Sequence, residues 1–352
     1  MTDPLPPLPV PDRLGAMPLG PPVFLAPMAG ITDLPFRRAV ARHGGAGLMV
    51  SEMLAATEMM TPSPSSRAAG RARGLAEATG PMSVQIAGRE AGPMAETARI
   101  VEGLGARVID INMGCPARKV TGGLSGAALM RDLDHALGLI EAVVGAVAVP
   151  VTLKMRLGWD EDSLNAADLA RRAVGAGVAM LTVHGRTRAQ FYNGQADWAR
   201  IRPVAEAVAA LPVPVPLVAN GDICCGDTAR AALAASGAGA VMVGRAAQGA
   251  PWRVAAIAHA LGHGPAPIIP QGAALADAVA THYEDILDFY GRDLGHRVAR
   301  KHLGWWAAAN GAPAGARAVL MRTPSPRETL EAIRRLFGDA TGAPDMARAP
   351  AA

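Results

Sequence analysis

In DINMGCPARKV, Asp110 to Val120, an apolar run ends at Asp-Ile-Asn and breaks at a glycine. Cys115 then stands on a Gly-Cys-Pro corner ahead of the basic pair Arg118 and Lys119. A free cysteine is most often a small buried hydrophobe, so its place on a tight corner just past an apolar run calls for a reason. Lys154 closes another apolar run, VTLKM, where a lysine can form a Schiff base, pair with an anionic ligand edge, or snorkel to the rim. Other polar residues end similar runs: Ser51 and Glu52 after GLMV, Gln85 in MSVQI, Asn112 in VIDIN, Arg156 after VTLKM, His184 in MLTVH, and Asn220, Gly221 and Asp222 after PLVA. Gln85 and Asn112 offer donor and acceptor alike to a heteroaromatic ring edge. The turns ANGDI and VGRAAQG are built from small residues, so backbone N–H groups could cradle a phosphate there. Arg245 beside Gly244 would add a charged clamp.

Such scattered residues act together only if the fold gathers them. Eight short apolar runs recur: VFLA (23–26), GLMV (47–50), MSVQI (82–86), VIDIN (108–112), VTLKM (151–155), MLTVH (180–184), PLVAN (216–220) and AVMVG (240–244). Their starts lie 24 to 43 residues apart, with helical segments such as Ala91–Gly103, Leu164–Val174 and Thr228–Ala235 between them. That spacing suits βα units of about 30 residues. It predicts a parallel (β/α)8 TIM barrel over 21–255, in which polar C-terminal strand ends meet on one rim. An open doubly wound sheet competes, but no G-x-G-x-x-G follows the first strand. On the barrel frame the two glycine-rich turns follow strands seven and eight, the usual phosphate position. Strand one runs into APMAG, where backbone could approach a flat ligand. The set suits a planar, phosphate-bearing anion, and FMN better than a sugar phosphate.

Helical periodicity returns after residue 271, in AALADAVATHYEDILDFYG, HRVARKHLGWWAAANG and PRETLEAIRRLFGD. These predict a small helical bundle over 272–338, joined by a Gly/Pro linker at 256–271. The Pro-rich segment 1–20 is expected to be extended and partly disordered, 61–80 mobile, and the tail 339–352 disordered. Aromatics make up 4% of the 352 residues, too few for a sheet that stacks RNA bases along its face. A net charge of +4 does not by itself indicate nucleic acid. Three cysteines without ligand spacing predict no metal site and a reducing compartment, and nothing assigns a role to Cys224 or Cys225. With neither a signal peptide nor an apolar stretch of about 20 residues, a soluble cytoplasmic protein without a membrane segment is expected.

Longer motifs carry a resemblance. APMAGITDLPFR (26–37), SEM (51–53), VQIAG (84–88), DINMGCPARKV (110–120), LSGAALMRD (124–132), VTLKMRLGWD (151–160), VHGRTRAQFYNGQADW (183–198), ANGDI (219–223), VGRAAQGAPW (243–252) and RVARKHLGWW (297–306) together resemble the bacterial tRNA-dihydrouridine synthases, most closely their B-type subfamily. The likeness spans about 24–340. The Asn-Met-Gly-Cys-Pro segment is its most specific part, whereas ANGDI and VGRA would suit other flavin barrels. The resemblance implies FMN-dependent reduction of the uracil C5–C6 double bond in the D-loop of tRNA, with NADPH as electron donor. It implies that Pro27, Met28 and Ala29 line the flavin through backbone, and that Gln85 and Lys154 meet the isoalloxazine edge. His184 would approach the flavin, while Asn220, Gly221, Asp222, Gly244 and Arg245 would hold its phosphate side. Cys115 matches the family's proton donor.

The chemistry explains that choice of side chain. Hydride arrival at uracil C6 leaves negative charge at C5 and O4, and C5 then needs a proton from the opposite face. An ordinary thiol, with a pKa near 8.5, is mostly protonated at pH 7 yet acidic enough to donate; a carboxylate is already ionised and serine is too weak. The expected contacts to tRNA or its uridine are Asn112, Arg118, Lys119, Arg186, Arg188, Arg297, Arg300 and Lys301. The last three share a helix face at spacing 0, 3, 4. After PARK the chain reads Val-Thr-Gly-Gly-Leu, where some relatives carry more basic residues, so this loop is expected to grip RNA less tightly. The alternatives are a flavin-dependent dehydrogenase of free pyrimidines, an aldolase using Lys154, and a non-catalytic RNA-binding or regulatory homologue.

Overall fold

The computed structural model describes residues 8–60, 74–75, 82–313 and 315–338. The expected disorder at 339–352 lies outside these residues, as does the expected mobility at 61–80 apart from residues 74–75. Eight parallel strands form a closed ring: β1 (Val23–Leu25), β2 (Leu48–Val50), β3 (Met82–Ala87), β4 (Ile109–Met113), β5 (Val151–Arg156), β6 (Met180–His184), β7 (Leu217–Asn220) and β8 (Ala240–Val243). Each pairs with the next and β8 returns to β1, which is a TIM barrel. Around it run α1 (Leu34–Ala41), α2 (Ala91–Gly103), α3 (Leu133–Val144), α4 (Ala166–Gly175), α5 (Arg202–Ala209), α6 (Gly226–Ser236) and α7 (Arg253–Ala260).

The two-residue side-chain period of a strand divides each one between two environments. In β4, Ile109, Ile111 and Met113 join the apolar layer under the helices, whereas Asp110 and Asn112 point into the barrel. In β5, Val151, Leu153 and Met155 pack outward, and Thr152, Lys154 and Arg156 occupy the alternate positions. Register then sets the neighbours: Gln85 lies beside Asp110 and Asp110 beside Thr152; Asn112 lies beside Lys154; Arg156 lies beside His184 and His184 beside Asn220. Lower in the barrel the inward side chains are apolar, among them Phe24, Leu48, Val108, Met180, Val218 and Ala240.

Ahead of β1 runs a short extended segment. Over its described part, Arg13–Leu14 pairs antiparallel with Met17–Pro18, and Leu14, Met17 and Leu19 pack onto the apolar barrel floor. Burying Leu14 and Met17 stabilises by roughly 1.5–3 kcal/mol each, which offsets the entropy of ordering so short a hairpin.

Beyond the barrel follow α8 (Gly272–Tyr290), α9 (Arg292–Ala309), α10 (Ala316–Arg322) and α11 (Pro326–Gly338). Helix α10 is too short for its periodicity to register in the sequence. These helices share a core of Trp252, Val279, Tyr283, Ile286, Leu303, Trp306, Leu320, Ile333 and Phe337. Trp252 comes from the barrel side, so the two parts are packed together. Tyr290 Oη donates to Asp33 Oδ2 at 2.8 Å, Arg42 pairs with Asp285 at 2.7 Å, and Asn310 Nδ2 donates to Gly249 O at 2.7 Å. Gly249, at φ +70°, lies so close to Trp305 that an added Cβ would sit 2.2 Å from its carbonyl oxygen. Among the described residues no helix is long and apolar enough to cross a membrane.

Candidate active site at the barrel mouth

A chain of buried amides runs from the strand interior to the Cys115 corner. Thr152 Oγ1 donates to Asp110 Oδ1 and Gln85 Nε2 to Asp110 Oδ2, both at 2.6 Å. Asn112 Nδ2 then donates to Gln85 Oε1 at 2.7 Å. Asn112 Oδ1 accepts the backbone N–H groups of Gly114 and Cys115 at 3.1 and 2.9 Å. Asn112 therefore shapes the turn that presents the half-buried thiol. Arg156 secures the same corner, its Nε donating to Gly114 O at 2.9 Å.

Across the mouth, Lys154 Nζ donates to Asn220 Oδ1 at 2.9 Å, and Asn220 Nδ2 donates to Met242 O at 2.8 Å. Arg186 Nη1 lies 3.2 Å from His184 Nε2. Because a guanidinium can only donate, Nε2 is the acceptor and the ring proton resides on Nδ1. Asp222 collects two arginines: Arg186 at 3.1 and 2.5 Å and Arg245 at 3.0 Å. It also accepts the Ala196 N–H at 2.8 Å. Gly221 and Asp222 both have positive φ, +113° and +52°; a Cβ at Gly221 would meet Ala196 Cβ at 2.6 Å. At the neighbouring turn, a Cβ on Gly244 would come within 3.7 Å of Ala26 Cβ and 3.8 Å of Met28 Sδ, so the β1 and β8 turns adjoin.

Charge is unevenly spread. Burial lowers the Lys154 pKa to about 8, aided by Arg156 and opposed by Asp110 and Cys115. His184 is pushed well below its ordinary value, first by burial and then by Arg156, Lys154, Arg186 and Arg245. Asp110 is raised by burial, which its bonds to Thr152 and Gln85 only partly counter. Burial works against the Asp222 carboxylate as well, yet its bonds to Arg186 and Ala196 and the charges of both arginines hold it below its ordinary value. Lys154, Arg156, Arg186 and Arg245, set against Asp110 and Asp222, leave the mouth electropositive and suited to an anion. Among the described residues no group of three or more His, Cys, Asp or Glu is placed to hold a metal.

The expected site residues divide. Gln85, Asn112, Cys115, Lys154, His184, Asn220, Gly221, Asp222, Gly244 and Arg245 converge on this rim, with Pro27, Met28 and Ala29 in the turn above β1. Asp222, expected on the phosphate side, accepts from both Arg186 and Arg245. Arg186, expected to face RNA, is only 1% exposed, folded inward onto Asp222 and the carbonyls of Asn193 and Gly194. Arg188 lies against the Trp159 ring at 4.5 Å and reaches Thr121 Oγ1 at 3.4 Å. Arg118, Lys119 and Arg297 are exposed and Arg300 is half-buried. Lys301 donates to Gly30 O, while the Gly30 N–H donates to Glu52. Glu52 and Arg156 belong to the polar strand ends legible in the sequence, although their specific partners are not. Asp110 and Thr152 are missed there, and a carboxylate inside the apolar run VIDIN is the available signal for Asp110.

Known proteins share this chain's sequence over most of its length. The family model described as dihydrouridine synthase matches residues 24–340. A probable tRNA-dihydrouridine synthase of Rhodobacter capsulatus is 63% identical over 326 residues, 93% of this chain and 98% of the relative. A probable tRNA-dihydrouridine synthase of Rhizobium leguminosarum bv. phaseoli is 52% identical, covering 87% of this chain and 92% of its own. A tRNA-dihydrouridine synthase B of Xanthomonas axonopodis pv. citri is 46% identical over 92% of this chain and 95% of its own.

Proposed function

The chain belongs to the dihydrouridine synthase family, and from that premise we propose that it reduces uridine in the D-loop of tRNA to 5,6-dihydrouridine with FMN and NADPH. The observation that carries this reading is the meeting of a thiol corner with an electropositive, amide-lined rim. That rim fits a phosphate-bearing planar anion. Arg245 and the backbone of Gly221 and Gly244 would take the phosphate; Lys154, Gln85 and His184 would take the ring system; and the Pro27–Ala29 backbone would run along it. Bound FMN supplies the hydride, with NADPH as its source.

The chain's own groups do the rest. Cys115 gives its proton to C5 of the uracil. Asn112 and Arg156 hold that corner through backbone groups, so the thiol itself stays free for transfer. Lys154, a cation at neutral pH, offsets negative charge beside it, which suits ion pairing better than Schiff-base attack. On this proposal 272–338 is the tRNA-binding domain and 256–271 its linker, with Arg297, Arg118 and Lys119 as the exposed phosphate contacts.

The test is dihydrouridine content of tRNA from a strain lacking this gene, restored by the wild-type gene but not by C115A. Unchanged dihydrouridine in that strain would tell against the proposal. Two further outcomes are expected. FMN affinity declines as pH rises through about 8, because Lys154 loses its charge there; K154M removes that pH dependence, measurable by fluorescence titration. R118A/K119A lowers the slope of log affinity against log salt by about 1.5 if each residue meets one phosphate.

A further inference from the structure

The loop after β6 carries two aromatic rings to which the mechanism gives no task. Phe191 and Tyr192 are 40% and 42% exposed, in a chain with little aromatic content. Their rings meet edge to face with centroids 4.8 Å apart. Phe191 stands at φ +54°, a left-handed conformation that a bulky residue keeps only when its surroundings hold it.

Arg156 does much of the holding. Its Nη1 donates to Thr187 O at 2.7 Å and to Phe191 O at 2.9 Å, while its Nε grips Gly114 O at 2.9 Å. One guanidinium thus fixes the aromatic pair relative to the Cys115 corner. The Tyr192 ring is flanked by Arg156 at 5.7 Å and Arg245 at 5.2 Å. Arg188 ties this loop to the short helix Arg118–Thr121, whose Arg118 and Lys119 are exposed. Rigid, exposed rings set among guanidinium groups are suited to stacking a nucleobase. A uridine that leaves its stack to enter the barrel mouth deprives its neighbour of a stacking partner.

We propose that Phe191, buttressed by Tyr192, stacks on the nucleobase next to the uridine being reduced. The inference rests on the tRNA-reductase reading and adds a positioning surface to it. It is tested by equilibrium binding of an unmodified tRNA transcript to the FMN-loaded protein at several salt concentrations, comparing wild type, F191N and F191W. Asparagine tolerates left-handed backbone, so F191N removes the ring without straining the loop. F191N is expected to weaken binding between about fivefold and a hundredfold, with an unchanged salt slope because no phosphate contact is lost. F191W restores affinity, and FMN absorbance stays the same in all three. Wild-type affinity in F191N, a reduced salt slope, or a failure of F191W to restore binding overturns the platform. A wild-type protein that binds no tRNA at any salt overturns the underlying reading as well, and so is told apart from failure of the platform alone.

Discussion

On the proposed function, C115A is expected to lose about 10²–10⁴-fold in turnover on tRNA, the range a missing general acid commonly costs, and to bind FMN as the wild type does. The separation of the two effects follows from how the residue is held. Its backbone N–H donates to Asn112 Oδ1 at 2.9 Å and its carbonyl accepts from Ala127 N at 3.1 Å. Alanine keeps both bonds, so the corner keeps its shape and only the transferable proton is lost. Single-turnover kinetics, with flavin absorbance measured on the same sample, separates chemistry from cofactor retention. Turnover within twofold of wild type would remove the thiol from the mechanism. Loss of FMN together with activity would make Cys115 a packing residue instead.

D222N lowers stability by about 3 kcal/mol, since removing one partner of a buried ion pair leaves the other charge uncompensated. Arg186 is almost wholly buried and has Asp222 as its carboxylate, while Arg245 shares the same group. Asparagine accepts the left-handed backbone at this position, so the loss is electrostatic and not conformational. A fall in Tm of about 4 °C is expected by circular dichroism. On the proposed function, FMN affinity is also expected to weaken as Arg245 loses its support. Asp222 has a folded-state pKa below its ordinary 3.8, so its stabilisation is fully present above that pH and disappears as pH falls through the lower folded value. The two proteins should therefore converge in stability under strong acid. Equal Tm values at pH 7 would mean that solvent, not Asp222, compensates Arg186.

Much of the molecule is legible one residue at a time. Apolar runs with a two-residue period, glycine punctuation and helical spacing are local signals, and they locate all eight barrel strands to within a residue. The polar ends of those strands follow, because a closed parallel barrel must bring its C-terminal ends to one rim. Gln85, Asn112, Lys154, His184 and Asn220 are visible for that reason. Loop side chains are not. HGRTR reads as a basic surface patch, yet Arg186 turns inward because Asp222, 36 residues on, offers a carboxylate there. Lys301 shares a helix face with Arg297, but its ammonium reaches Gly30. The Pro-rich lead-in reads as extended, but that its Leu14 and Met17 find an apolar surface on the barrel floor is not visible in the sequence. Strand identity and rim membership depend on neighbours in sequence, which the chain itself specifies. The direction of a long charged side chain depends on partners remote in sequence, and only the folded arrangement chooses among them.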